Sequence, residues 1–199
     1  MSSELAAWGV GGRLGATYAL TPATRLALVY EFKTALSDLD GRGEITAIDT
    51  ASQQTVLPGA GALPGLEFPE AWIVGLSHQL TPSFSVIADV RRTRWSRMFG
   101  DTNVRFDADG GGDLFVSLPT GFRDLTTLAV GAEWRLRPEW TFRAGASHAF
   151  QQLVADQNLN SAFATLTRNH ITAGAAWRPV PAHEWSLGVS YGFTEVVRN

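Results

Sequence analysis

Three groups of residues have types and spacings that bear on chemistry. Asp107-Ala108-Asp109-Gly110-Gly111-Gly112-Asp113 gathers carboxylates around a glycine run, the composition of a calcium loop. Leu118, however, stands where an EF-hand places its closing Glu, so a flexible acidic loop without a resident metal is expected. Gly9-Val10-Gly11-Gly12 opens like a dinucleotide-binding turn, but Leu14 occupies the third glycine position and no helical pattern follows. His78, His148, His170 and His183 are scattered, without H-x-x-x-H or H-E-x-x-H spacing. A Ser/His/Asp triad needs only spatial proximity, yet no Ser flanks His78 or His148 on their own face of the chain. The chain has no Cys, which excludes thiol catalysis, disulfides and Cys-ligated zinc or iron–sulfur sites. These patterns point away from an enzyme and imply no cofactor.

The elements that would position such residues follow from composition and period. The 199 residues are 45% apolar, which excludes a mostly disordered chain. A net charge of −3, from 16 basic and 19 acidic residues, gives no phosphate-neutralising surface, so no nucleic-acid partner is expected. No apolar run approaches the ~18 residues of a transmembrane helix. Met1-Ser2-Ser3-Glu4-Leu5 lacks the basic start and apolar run of a signal peptide.

Apolar residues instead recur with period 2. Trp185, Leu187, Val189, Tyr191, Phe193, Glu195 and Val197 alternate with Ser186, Gly188, Ser190, Gly192 and Thr194. Leu128–Leu136 and Trp140–Phe150 repeat the scheme, and alternation at 180° per residue marks strands. Trp8–Leu20, Arg25–Leu36, Glu70–Leu80, Phe84–Trp95 and His170–Trp177 fit it less cleanly. The expected fold is all-β: an antiparallel up-and-down meander of about eight strands, long enough to cross a bilayer when tilted. Its Gly-, Ser- and Thr-rich second face suits a wet or crowded interior better than the solvated face of a soluble sheet.

Short connections built on Pro22, Pro82, Pro138 and Pro179/Pro181 alternate strictly with long ones over 37–69, 96–124 and 151–168. In a meander this puts tight turns at one end and long loops at the other, the asymmetry of outer-membrane barrels. Trp134, Trp140, Trp177 and Trp185, with Tyr18 and Phe84, lie near the short turns. Trp8, Phe32, Trp72, Phe150 and Phe193 lie toward the long loops. Two aromatic levels are expected of the two interfaces of a membrane. A soluble β-sandwich binding module, with Trp filling its core, is the alternative.

Taken together, these segments resemble the FadL family of outer-membrane long-chain fatty acid transporters. The resemblance rests on Trp8-Gly9-Val10-Gly11, Leu14–Leu20, Arg25–Tyr30, Phe68-Pro69-Glu70-Ala71-Trp72, Thr93-Arg94-Trp95-Ser96, Gly121-Phe122-Arg123-Asp124, Trp140–Gly145 and Trp185–Tyr191, in that order. It implies a barrel of about fourteen antiparallel strands with an N-terminal hatch. Residues 1–199 would then be a single partial-barrel domain of a Gram-negative outer membrane, lacking the hatch, the first strands and a signal peptide. Eight strands either close as a small barrel or leave an open sheet with two unpaired edges.

The resemblance further implies passive uptake of fatty acids or other hydrophobic compounds, captured on apolar outer loops and passed through the barrel. Leu63, Leu66 and Phe68 in one loop, and Leu114, Phe115 and Phe122 in another, are the candidate capture residues. Arg91, Arg135 and Arg143 share an inward parity with Arg13, Arg25, Glu31, Lys33, Asp89 and Glu133, and are the candidate carboxylate anchors. The same charges also suit a mutually paired lattice along the lumen. Outer-membrane lipids and lipopolysaccharide are expected partners, and the full-length protein is expected to be monomeric. A barrel with a surface or structural role and no transport is the other alternative.

Overall fold

The structure, a computed structural model, describes residues 5–48, 54–63, 67–97, 101–119, 122–151 and 167–194. In chain order the strands begin with β1 (Leu5–Ala6), β2 (Gly9–Val10), β3 (Arg13–Thr21), β4 (Thr24–Glu31), β5 (Thr34–Leu36) and β6 (Leu39–Ile48). They continue with β7 (Gln54–Leu63), β8 (Glu67–Phe68), β9 (Ala71–Thr81), β10 (Phe84–Thr93), β11 (Asp101–Ala108) and β12 (Asp113–Pro119). The last four are β13 (Leu125–Arg137), β14 (Trp140–Ala149), β15 (Asn169–Val180) and β16 (His183–Gly192). One 3-10 turn, Trp95–Arg97, interrupts them.

Eight strands form the main sheet in the order β3-β4-β9-β10-β13-β14-β15-β16, every neighbour antiparallel. They are the eight segments expected from the period-2 pattern, some with trimmed and some with extended ends. The first begins at Arg13, not Trp8, and the second divides at Phe32-Lys33 into β4 and β5. The ladder carries across these breaks: Phe32 N donates to the Gly12 carbonyl at 2.9 Å and Ser37 N to that of Trp8 at 2.8 Å. Gly9 and Val10, after Trp8, therefore belong to the three-stranded sheet β2-β5-β8 that extends the main one.

The short connections are two-residue turns, each opened by proline: Pro22-Ala23, Pro82-Ser83, Pro138-Glu139 and Pro181-Ala182. Proline presets φ for the first central residue of a type I or II turn and cannot donate to a continuing ladder. Pro179 lies inside β15 only where the register with β16 slips, between Trp177 and Val180.

The long connections expected over 37–69 and 96–124 are largely strand. These stretches fold as the hairpins β6–β7 and β11–β12, joined edge to edge through β7 and β11 and extended by β1. A long connection carries many backbone donors and acceptors, and pairing satisfies them within the chain. Of the third long connection, 152–166 lies outside the described residues.

Register fixes two faces. On one, Leu14 pairs Tyr30, Leu26 pairs Leu76, Trp134 pairs Phe142 and Ala175 pairs Leu187. On the other, Arg13 pairs Glu31, Gly131 pairs Gly145 and Thr172 pairs Ser190. The apolar face is uncovered: Tyr18 is 68% exposed and Leu187 75%. Among the described residues only Ala71, Phe106, Phe122 and Ala176 are buried apolar side chains. A sandwich buries the apolar faces of both its sheets. A sheet of this size with such a face bare to the outside is built for lipid, not water. This overturns the sandwich alternative. The sheet is also open, with β3 and β16 as its edges among the described residues.

Candidate substrate path

The polar face of the main sheet carries two three-residue ion clusters. Toward the long connections, the Glu31 carboxylate accepts from both Arg13 and Arg91, while Arg91 Nε also donates to Thr93 Oγ1 at 3.2 Å. Toward the short turns, the Glu133 carboxylate accepts from Arg143 Nε at 2.8 Å and Arg135 Nε at 3.1 Å. Antiparallel register builds both. Arg13 stands opposite Glu31 and Glu133 opposite Arg143, where cross-strand pairs of opposite charge attract.

The surroundings of the two clusters differ. The Glu31 cluster borders a cavity of about 790 Å³ whose wall includes Phe32, Phe68, Pro69, Trp95 and Leu125. The Glu133 cluster borders a cleft of about 380 Å³ walled largely by Arg25, Ser77, Gln79, Ser83 and Ser85. Between them a groove of about 600 Å³ runs over Asp89, Gly131, Gly145, Thr172, Gly174 and Gly188. The glycines leave this middle stretch without side-chain bulk, so the polar face reads as a trough with a greasy mouth and a wet foot.

The structure thus places all three candidate arginines on the polar face, but not together. Arg91 is at the long-loop end; Arg135 and Arg143 share Glu133 at the other. Each is already ion-paired. Arg25, on the same face and lining the short-turn cleft, has no ion pair among the described residues. Its parity made it visible in the sequence, but which guanidinium lacks a carboxylate depends on cross-strand neighbours.

The apolar candidates fall in several places. Phe68 pairs Thr34, lines the larger cavity and is 53% exposed. Leu114 and Phe115 lie on β12, opposite Phe106 and Arg105, and both are exposed. Phe122 is buried, its ring 6.1 Å edge-on from that of Trp95. Leu63 ends β7 opposite Leu39, and Leu66 lies outside the described residues. Phe106 was missed. It is the buried ring of the loop sheet, lying so close over Gly59 that a Cβ there would sit 2.7 Å from it and 2.2 Å from the Asp107 carbonyl. The signal was the Arg105-Phe106-Asp107-Ala108 alternation leading into the glycine run.

That glycine run is the β11–β12 turn. Gly111 and Gly112 have φ of 91° and 111°, which side-chain-bearing residues rarely adopt. Its carboxylates are engaged: Asp109 accepts from Arg42 at 2.6 and 2.8 Å, and Asp113 from Arg105 at 3.3 Å. Asp107 faces Asp113 across the ladder. A hydrogen bond with Asp113, and then its negative charge, push the Asp107 carboxyl above the usual range. Arginine thus occupies the places a cation would take. The histidines bind locally, His78 to Thr24 at 2.8 Å, His148 to Asn169 at 2.7 Å and His170 to Thr167 at 2.7 Å.

Aromatic side chains form two levels on the apolar face. Near the short turns Phe84 pairs Trp134, Trp140 stacks on Trp177 at 5.9 Å and Trp185 stands opposite Trp177. Near the long connections Tyr30 meets Trp72 at 4.3 Å, and Tyr191 meets Phe193 at 5.2 Å. An apolar band between two aromatic levels matches the girdles of a transmembrane barrel.

Comparison with known proteins agrees. The family model described as outer membrane protein transport protein (OMPP1/FadL/TodX) matches residues 1–198. The long-chain fatty acid transport protein of Salmonella typhi is 26% identical over 193 residues, covering 92% of this chain and 42% of that protein. The crystal structure of the Pseudomonas putida toluene transporter TodX superposes with a TM-score of 0.83 at 32% identity, covering 95% of this chain and 45% of that one. The Ralstonia pickettii toluene transporter TbuX gives 0.79 at 32% identity, over 95% and 44%. The chain spans less than half the length of these relatives. The FadL resemblance and the outer-membrane location follow, and the relatives matched are transporters rather than enzymes: this chain belongs to the outer membrane protein transport protein family (OMPP1/FadL/TodX).

Proposed function

We propose that this chain forms one partial-barrel domain, about eight strands of a monomeric barrel, and supplies one wall of a passive path for long-chain fatty acids. The compound enters at the long-loop end, descends the polar trough and leaves toward the short turns. The observation that carries this reading is the 790 Å³ cavity, lined by Phe68, Trp95 and Leu125, at the mouth of an otherwise polar and glycine-rich face. Such a mouth desolvates an acyl chain, at about 0.8 kcal/mol per buried CH₂. Phe115 and Leu114 on the loop sheet add exposed apolar surface for first capture. Arg25, with Arg135 beside it in the cleft, offers a carboxylate its charge-assisted partner.

The test is uptake of radiolabelled oleate by a Gram-negative strain deleted for its own fatty acid transporter and expressing this chain. Uptake above the empty strain that falls with Phe68→Asp supports the reading. Uptake equal to the empty strain, with the protein shown in the outer membrane, overturns it in favour of a surface or structural barrel. A second reading, transport of uncharged monoaromatic hydrocarbons, is favoured by the pairing of Arg91, Arg135 and Arg143 with glutamates. Arg25→Ala separates the two: oleate uptake should drop roughly threefold for loss of one partly exposed charged contact, while toluene uptake stays unchanged.

A further inference from the structure

Outside the trough, on the lipid-facing side of the long-loop end, three arginines converge on two carboxylates. Arg94 and Arg97 each donate through Nη1 to Glu70 Oε1, at 2.9 and 3.1 Å. Arg92 donates to Asp124 at 3.2 Å and to Thr126 Oγ1 at 2.7 Å. All stand beside the membrane aromatics, since Arg92 pairs Trp72 across the ladder and Tyr30 donates to Glu70. Coverage is unequal. The Glu70 and Asp124 side chains are 15% and 25% exposed, whereas those of Arg92, Arg94 and Arg97 are 45%, 40% and 68% exposed. Negative charge is tucked in, positive charge is turned out, and the cluster keeps one net positive charge with guanidinium donors to spare.

A second feature lies beneath it. On β10, Arg92 shares its face with Val90, Ala88 and Val86, descending into the membrane band. From Ala88, about 13 Å below Arg92, opens an apolar groove of about 530 Å³. Small side chains form much of its floor: Ala88, Ala132, Ala144 and Ala146, rimmed by Leu76 and Val130. An anionic head site with an apolar groove under it on one strand is the layout of a lipid.

We propose that this surface binds a phosphorylated lipid of the outer leaflet, its phosphate held by Arg92, Arg94 and Arg97 and an acyl chain laid over Ala88 and Ala132. Guanidinium forks match phosphate oxygens bidentately, and the aromatic pair Tyr30–Trp72 sets the depth of the headgroup. The site lies on the face opposite the trough and does not depend on transport.

The test uses the full chain refolded in maltoside micelles, with strand content followed by circular dichroism. Diphosphorylated lipid A is titrated in and bound lipid counted by native mass spectrometry. Dephosphorylated lipid A and inorganic phosphate are the comparison arms. Lipid A should bind with one copy retained and weaken as salt rises. The Arg94→Gln/Arg97→Gln double variant should bind roughly tenfold more weakly, and Ala132→Phe should weaken it by a similar factor through the groove. Should the double variant lose strand signal, Arg97→Gln alone is read in its place. Equal binding of dephosphorylated lipid, or unchanged binding by the arginine variants, overturns the proposal. Displacement by millimolar inorganic phosphate would mean a simple anion site and also overturn it.

Discussion

The two ends of the polar face carry the same ionic unit, one glutamate shared by two arginines, in opposite settings. At the long-loop end the Glu31 unit faces a wide cavity with Phe32, Phe68, Trp95 and Leu125 in its wall. At the short-turn end the Glu133 unit faces a cleft half that size, lined by serines, Gln79 and Arg25, which has no ion pair among the described residues. Identical charges therefore do not define what each end does. An ion cluster beside apolar surface keeps its guanidiniums occupied while grease makes the contact. The same cluster beside hydroxyls and a spare arginine leaves a polar headgroup something to hold. On the proposed path, direction along the trough comes from the lining, not from the charges.

This contrast can be broken from the loop side first. The long connections form a sheet that packs Phe106 onto Gly59, and a Cβ at that glycine would lie 2.2 Å from a backbone oxygen. Gly59→Val should part β7 from β11 and cut uptake about tenfold or more, the overpacking being worth roughly 1–3 kcal/mol. Gly131→Ala, whose nearest neighbour is 3.5 Å away, should do nothing. Limited proteolysis of the loop sheet, read beside oleate uptake, checks both.

The lining itself is probed next. Phe68→Asp should lower oleate uptake about fivefold to tenfold, from the loss of one large apolar contact. Ser85→Ala at the other end should change it less than twofold, since it removes one hydroxyl from a surface that grips no apolar chain. Equal losses would mean that both ends grip the apolar chain and that the contrast is false.

The ion units give a smaller effect. Glu31→Gln leaves Arg13 and Arg91 without their shared acceptor and should tighten oleate binding about threefold at the mouth, the scale of one partly exposed ion pair. Toluene binding should be unaffected. Competition between the two ligands in micelles reads this directly.

Smallest is the response to pH, and it has opposite signs in two carboxylates beyond the membrane band. A hydrogen bond from Tyr30, with Arg94 and Arg97 close by, holds Glu70 below the usual carboxylate range. Its contribution is present above the ordinary Glu value and is lost as pH falls through the depressed one. Asp107 is raised by Asp113, so its contribution is present below the ordinary Asp value and is lost as pH rises through the raised one. Acid should therefore loosen the rim around Glu70 while tightening the β11–β12 turn. Hydrogen exchange of the two segments at pH 7 and pH 3.5 would show it. Asp113→Asn should abolish the loop response and leave the rim response.

Much of the molecule is legible in one dimension. Alternation gave the eight strands of the main sheet, proline placed its four tight turns, and Trp spacing gave both aromatic levels. What escaped was the loop sheet. Arg105–Ala108 alternates only briefly, and Gln54–Leu63 carries three glycine or proline positions that read as turn rather than strand. Such segments pair because a neighbour is at hand, not because their own propensity demands it. The same limit applied to the site. Phe122 looks like an exposed loop residue by its neighbours Gly121 and Arg123, yet it is buried against Trp95, a partner reached only when the chain returns.

The sequence by itself determined which residues form strands and which face each side chain takes, because both follow from a local period of two. It also determined that one face is apolar, a row of Leu, Val and Trp, while the bare state that suits this face to lipid was decided by the tertiary structure. Only the tertiary structure decided that Glu31 serves Arg13 and Arg91, 18 and 60 residues away, and that Arg25 has no carboxylate among the described residues. Only it decided that Arg92, Arg94 and Arg97 meet Glu70 and Asp124 at one rim. Such partnerships depend on the register between strands, and a slip of one residue would send every side chain to the opposite face. Register is set by all the cross-strand pairs together, so no single stretch of sequence contains it.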